Sequence, residues 1–438
     1  MSTTFRTCAP DQTLLFPPSP RDWLPEEHLA FFIADTVAAL DLQVFYAPYA
    51  GDGRRNQPFD PQMMVTVLLY AYATGTFSSR RIARKLTEDV AYRALAAGNF
   101  PAHRTIAEFR QQHLAALEAL FVQVVQLARE MGVVQLGTLA IDGSKVTANA
   151  SKHKAMSYAR MLEQERQLRA QIAALTAQAA ATDTAEDAAL GPDVRGDELP
   201  AEVQRREDRL ATIAAAKARL EARQAAEDRA KGRTPDDGRK SRGTRPFARD
   251  FGVPADDAQE NFTDPESRIM KTSAGFQQCY NGQVAVDATA QIIVATRLSN
   301  CPADQGTLLP LVDRVRTTCG AEPHHVLADA GFRNDADFVA LEGRQITAYV
   351  SLGREGKAGG HPPPKLPATQ RMAHRVATPL GRARYRRRKA IVEPVFGWIK
   401  AVLGFRRFSL RGLIKVRGEW SLVCLATNLK RLHRLRTA

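Results

Sequence analysis

The stretch Tyr385–Lys400, YRRRKAIVEPVFGWIK, sets one acid among cations: Glu393 follows Arg386, Arg387, Arg388 and Lys389 and precedes Lys400 by seven positions. As a helix it turns Arg386, Lys389, Glu393 and Lys400 to one side and Val392, Val395, Phe396 and Ile399 to the other. Cations so placed can follow a phosphate backbone, and an acid among them can hold a divalent metal. The plainer reading is an amphipathic surface helix whose Glu393 pairs with its neighbours. Pro394 complicates both, because it lacks an N–H and disfavours helical angles at Glu393. Either the helix kinks there or a new one starts with Pro394 in its first turn.

Two more acids share a local pattern. Asp142 ends the short apolar run LGTLAID, residues 136–142, and Gly143 opens the polar stretch GSKVTANASKHK. Asp329 ends HHVLAD, and Gly331 follows closely. Both runs read as short buried strands that deliver an acid at their C-terminal ends. Singly, each reads equally as turn chemistry, since Asp-Gly is a common turn pair. Together with Glu393 they make three carboxylates on separate elements, 187 and 64 positions apart. Cleaving or exchanging a phosphodiester needs in-line attack by an oxygen nucleophile and charge stabilisation on the leaving oxygen. Two Mg²⁺ ions roughly 3.5–4 Å apart supply both when carboxylates hold them. Magnesium prefers oxygen ligands and keeps waters, so three carboxylates suffice without a His or Cys cage.

The rest of the chain has to position these acids. Its 438 residues, 44% hydrophobic and 25% charged, can form roughly two or three domains without disulfide staples. Net charge is +14, yet residues 351–438 alone carry +18, with 21 Lys and Arg against three Glu, which leaves −4 for the first 350 residues. A basic C-terminal part favours a bound polyanion there. The five scattered cysteines form no zinc spacing and point to a reducing compartment, and no signal-peptide pattern or membrane-length apolar run is present. The chain therefore reads as intracellular, with no membrane partner.

Residues 1–130 read as a helical domain. PPSP at 17–20 is a loop, EEHLAFFIADTVAAL a helix, and Pro61 opens a helix that ends at Gly75. Ser78 or Ser79 caps the next, and Thr105 caps IAEFRQQHLAALEALFVQVVQLAREMG. Arg80, Arg81, Arg84 and Lys85 form either a DNA-facing edge or a solvated face. Residues 155–250 comprise an Ala-, Glu- and Arg-rich segment with Met161, Leu168 and Leu175 seven apart, and then a basic linker over 231–250. The segment reads as an inserted helical hairpin with coiled-coil packing that serves a partner or self contact. Residues 131–154 and 251–438 make the remaining domain. GQVAVD and QIIVATRLS read there as strands joined by a tight turn, and Asp304 as the cap of a helix to about Thr318. A helix from Asp335 and the strand ITAYVS follow, then a Gly-, Pro- and Arg-rich loop over 353–384 and a closing amphipathic helix whose role is core packing.

The ordered motifs AIDGSKV, YNGQVAVD, VLADAGF and Tyr385-x-x-Arg388 leading to Glu393 and Lys400 resemble the DDE transposases of bacterial insertion sequences. Phe59–Arg110, beginning FDPQMMVTVLLYAYATG, resembles the helical domain preceding their catalytic core. The resemblance runs from about Pro58 to Leu432, the hairpin excepted. It implies an α/β fold with an RNase H-like mixed five-stranded sheet flanked by helices. It further implies a metal-binding catalytic triad of Asp142, Asp329 and Glu393 with two Mg²⁺ ions, Mn²⁺ being a substitute. DNA contacts are implied at Tyr385, Arg388 and Lys400, and Arg386 and Lys389 join them as cations on the same helix. Four residues separate Arg388 from Glu393 where the commonest signature has three; strict spacing would give the Arg role to Lys389. The implied reaction is cleavage at the element ends and attack of the 3′-OH groups on target DNA. Its partners are double-stranded DNA at the ends and target, within a homodimer or larger nucleoprotein complex in a bacterial cytoplasm, on the nucleoid when bound. The competing readings are a catalytically silent DNA-binding derivative and a metal-dependent nuclease that does not join strands.

Overall fold

The structure is a computed structural model that describes residues 19–49, 57–190, 201–237, 247–353 and 366–437. The segment between the two long inserted helices, the middle of the basic linker, the first half of PPSP and part of the Gly- and Pro-rich loop lie outside these residues.

The N-terminal region is helical: α1 (Leu29–Ala38), α2 (Gln43–Tyr46), α3 (Pro61–Ala73), α4 (Ser79–Glu88), α5 (Val90–Leu95), α6 (His103–Gln112) and α7 (Leu114–Glu130). At the start of α3, Asp60 Oδ1 accepts the Gln62 N–H at 3.0 Å, and Pro61 occupies the first turn where its missing N–H costs nothing. The single helix expected from Thr105 is two. It starts earlier, at His103, and breaks at His113, whose buried ring packs 4.4 Å from Phe109 and 5.1 Å from Phe45.

Then come β1 (Thr138–Thr147), β2 (Ala155–Ser157), the inserted helices α8 (Tyr158–Leu190) and α9 (Ala201–Ala230), and β3 (Gln259–Asn261), which pairs with β2 at their base. The two long helices share a small apolar core of Tyr158, Met161, Leu168, Ile213, Ala216 and Leu220, separate from the main one.

The main sheet gathers β4 (Arg268–Thr272), β5 (Gly275–Asp287), β6 (Ile293–Ser299), β7 (His325–Ala328) and β8 (Thr347–Val350) around β1. β5 runs antiparallel to β1, while β7 and β8 extend the other side in parallel. The sheet has six strands rather than five, because the 13 residues of β5 accommodate two strands along one edge, β4 opposite its first half and β6 opposite its second. The connecting and following helices are α10 (Leu308–Cys319), α11 (Asp335–Gly343), α12 (Pro367–Ala377), α13 (Pro379–Gly397) and α14 (Leu413–Thr437). The loop expected to reach residue 384 thus ends at α12. Pro367 and Pro379 each open a helix, and Thr378 Oγ1 caps the second by accepting the Gly381 N–H at 3.0 Å.

The closing helix is buried on every side through its middle. Trp420 lies against Gly282 of β5, Asn428 brackets the edge of β6 through the Ile293 N–H and C=O, and Lys430 Nζ donates to the Ala73 carbonyl of α3. α14 therefore joins the N-terminal helices to the sheet. No single helix among the described residues is long and apolar enough to cross a membrane.

Candidate active site

Parallel register sets Ile141 of β1 beside Ala328 of β7, so Asp142 and Asp329 follow each other's neighbours at one end of the sheet. β7 stops there. β1 continues to Thr147, which meets Arg407, and between those two points no strand among the described residues covers that edge of β1. The space outside the C-terminal ends of parallel strands is where open α/β sheets bind ligands. Asp142 is consequently mid-strand and not at a strand end, and Asp142-Gly143 is no turn: the pair faces Val284 and Gln283 of β5. Asp329 leads into a short 3₁₀ turn, and its Oδ1 accepts the Gly331 N–H at 2.9 Å.

Helix α13 lies across this end. Gly381, Arg388, Ile391, Val392, Val395 and Phe396 are its buried residues. The helix runs through Pro394 without a break. The Ala390 carbonyl that loses its helical donor to Pro394 accepts Gln291 Nε2 at 2.9 Å instead, and the chain widens into a π turn over Trp398–Val402.

Arg388 Nη1 donates to Asp142 Oδ2 at 2.9 Å, with 7% of the Arg388 side chain and 19% of that of Asp142 exposed. Burial pushes the Asp142 carboxyl up to about 6; Arg388 pulls it down and the Asp329 carboxylate nearby pushes it up again. Arg388 in turn feels both aspartates, which hold its guanidinium above its ordinary value against the opposing effect of burial. Tyr385 packs beside Arg388, its ring centroid 6.0 Å from the guanidinium carbon. Lys400 is half-buried further along the cleft, where Nζ donates to the Lys145 carbonyl at 2.9 Å; burial holds it below the ordinary ammonium value.

The structure thus brings together Asp142, Asp329 and Arg388, with Tyr385 alongside. Arg388, not Lys389, is the inward cation, and Arg386 and Lys389 are exposed. Glu393 is exposed as well. Among the described residues no group of three or more His, Cys, Asp or Glu is gathered closely enough to hold a metal, so Glu393 is not joined to the aspartates here. The donors present are two carboxylates in a half-buried cleft, one with its proton affinity raised, and that chemistry suits a hard cation with retained waters. Sequence reasoning missed Lys145, Asn281, Gln283 and Asp304, which lie around the same end of the sheet. Asn281 and Gln283 belong to YNGQVAVD, which was read above as strand pattern and as part of the resemblance, with no role given to the two amides.

Two family models match the chain: the transposase domain DUF772 over residues 18–112 and the transposase DDE domain over 364–433. The first covers α1 to α6, and the second α12 to α14 with Glu393 inside it. Both models describe transposases, and the two matches support a DDE-type insertion-sequence transposase. Neither a curated protein nor a solved structure matches it.

Proposed function

We propose that the chain is a DNA transposase that cuts at the ends of an insertion sequence and joins the freed 3′-OH groups to target DNA, with Asp142, Asp329 and Glu393 as its catalytic acids. The observation that carries this is the convergence of Asp142, Asp329 and Arg388 from three distant parts of the chain at the open edge of β1. The RNase H-like reading is supported by the strand order β6-β5-β1-β7-β8, with the first acid in the central strand, the second after its parallel neighbour and the third on a helix packed across both.

Asp142 and Asp329 are the residues that would hold Mg²⁺ or Mn²⁺, with Glu393 completing the set. Such ions, when bound, neutralise the scissile phosphate and activate water or a 3′-OH, which lets one site cut and join. Arg388 keeps Asp142 ionised and in place in the free protein. The exposed Arg386 and Lys389 lie on the same helix as Glu393, where they would hold phosphates and orient the duplex without reading its sequence. Joining two ends requires more than one copy of the site, and the α8–α9 hairpin, with its own small core, is our candidate for the contact between copies. Arg80, Arg81 and Arg84 on α4 are our candidate for DNA contact by the N-terminal region.

The test is incubation of the purified protein with labelled DNA carrying its element ends, with and without Mg²⁺, beside Glu393→Gln. Metal-dependent 3′-OH ends and joined products, both lost in the variant, are expected. Cutting without joining would make the protein a nuclease, and binding without cutting a silent derivative.

A further inference from the structure

The acid-then-glycine pairs Asp142-Gly143 and Asp329-Ala330-Gly331 both lie against a third aspartate, Asp304. A Cβ added at Gly143 would lie 2.7 Å from Asp304 Oδ1 and 3.0 Å from Asn281 Oδ1. One added at Gly331 would lie 3.0 Å from Asp329 Oδ1, 3.5 Å from Asp304 Oδ2 and 3.6 Å from Asp304 Cβ. The same carboxyl group therefore lies against the chain beside each of the two site aspartates: at Gly143 it fits only because there is no side chain, while at Gly331 it stands at ordinary contact distance and the tight neighbour is Asp329 Oδ1 itself.

Asp304 is fixed there. Asn281 Nδ2 and Gln283 Nε2 donate to its Oδ1 at 2.7 and 2.6 Å, and Lys145 Nζ stands 3.8 Å from its Oδ2. Register explains the convergence: Gly143 faces Gln283 and Lys145 faces Asn281 across β1 and β5, so all four share the sheet face opposite Asp142. Asp304 also does not cap α10 with its side chain, as the sequence had suggested; Thr307 is the capping position, and Asp304 contributes only its backbone carbonyl to Thr307. The carboxylate is left to work on the sheet.

We infer that Asp304 is a positioning residue, a wedge that sets Asp142 and Asp329 relative to each other through Gly143 and Gly331. Resting on the reading of those two aspartates as the metal-binding pair, it acts through them and does not itself touch DNA. Groups that orient metal ligands typically cost about 10- to 100-fold in metal affinity or activity when altered. Asp304→Asn keeps the shape and removes the charge that faces Lys145.

The experiment measures Mn²⁺ affinity by electron paramagnetic resonance, DNA cutting, and thermal unfolding for the full chain, Asp304→Asn, Asp304→Ala, Gly143→Ala and the double variant Asp304→Ala/Gly143→Ala. The expected results are an Asp304→Asn protein with an unchanged melting temperature and about 10-fold weaker Mn²⁺ binding and slower cutting, and a double variant less impaired than the two single losses combined, because truncating Asp304 makes room for the new methyl. Wild-type Mn²⁺ affinity and cutting in Asp304→Asn, or strict additivity in the double variant, would overturn the wedge while leaving the transposase reading intact. A wild-type chain that neither binds Mn²⁺ nor cuts DNA would overturn that reading, and the wedge with it.

Discussion

Asp142 and Asp329 sit where the register of β1 and β7 puts them, Asp142 partly buried and bonded to the Arg388 guanidinium, whereas Glu393 stands exposed on α13. The two aspartates are spaced by a hydrogen-bonded ladder whose geometry leaves little freedom. A side chain on the outer part of a helix is spaced only by that helix's packing and its own rotamer. The difference teaches that in the proposed triad two acids are held by the sheet, while the position of the third is left to a helix surface.

The largest expected effect is on activity. Asp142→Asn, Asp329→Asn and Glu393→Gln should each lower Mg²⁺-dependent cutting by more than about 100-fold, since losing a ligand costs more than losing its support. Gel assays of labelled ends would register this, and near wild-type cutting by any one variant would remove that acid from the set. The comparison sharpens in stability: Glu393→Gln should stay within about 0.5 kcal/mol of wild type, as exposed substitutions do. By contrast Arg388→Met leaves the Asp142 carboxylate without its partner and should cost about 3 kcal/mol, read from urea unfolding. Equal losses for both variants would erase the distinction between the fixed and exposed parts.

A pH series tests the buried side further. The folded Asp142 carboxyl titrates at about 6 against an ordinary 3.8, so the folded state binds its proton more tightly than the unfolded chain does. The sign follows: the metal-free protein gains stability as pH falls through about 6 toward 4, and loses it as pH rises through the same window. The gain should be about 2–3 kcal/mol relative to Asp142→Asn, whose curve lacks this contribution. Parallel curves for the two proteins in urea unfolding at pH 4 and pH 7 would contradict the burial of that carboxyl. The smallest effect belongs to the helix. Gln291→Ala withdraws the donor from the Ala390 carbonyl that Pro394 leaves free, at a cost of about 1 kcal/mol by thermal unfolding. No change at all would mean that solvent satisfies that carbonyl equally well.

Much of this arrangement was legible in the sequence because local pattern carries it. Short apolar runs marked β1 and β7, Pro61 and Gly75 marked α3, three- and four-residue spacing marked α7, and cations around one acid marked α13. What was hidden depends on distant partners. Asp142-Gly143 reads as a turn until Gln283 and Val284 pair with it and carry β1 on to Thr147. Pro394 reads as a break until Gln291, about a hundred positions earlier, supplies the missing donor. α12 hides in a run whose Gly and Pro content says loop, although Pro367 falls in its first turn and Pro379 in the first turn of α13. Asp304 reads as a helix cap because caps are local, and its actual partners, Asn281, Gln283 and Lys145, are gathered only by the sheet.

The most direct measurement is metal-directed cleavage of the protein's own backbone. Fe²⁺ takes the place of Mg²⁺, and ascorbate and peroxide generate hydroxyl radicals at the bound ion. Fragments ending close to residues 142 and 329, absent in Asp142→Asn and joined by a cut near residue 393 when element-end DNA is added, are the expected result. Fragments that map elsewhere, or that persist unchanged in Asp142→Asn, would contradict a metal centre at the open edge of β1.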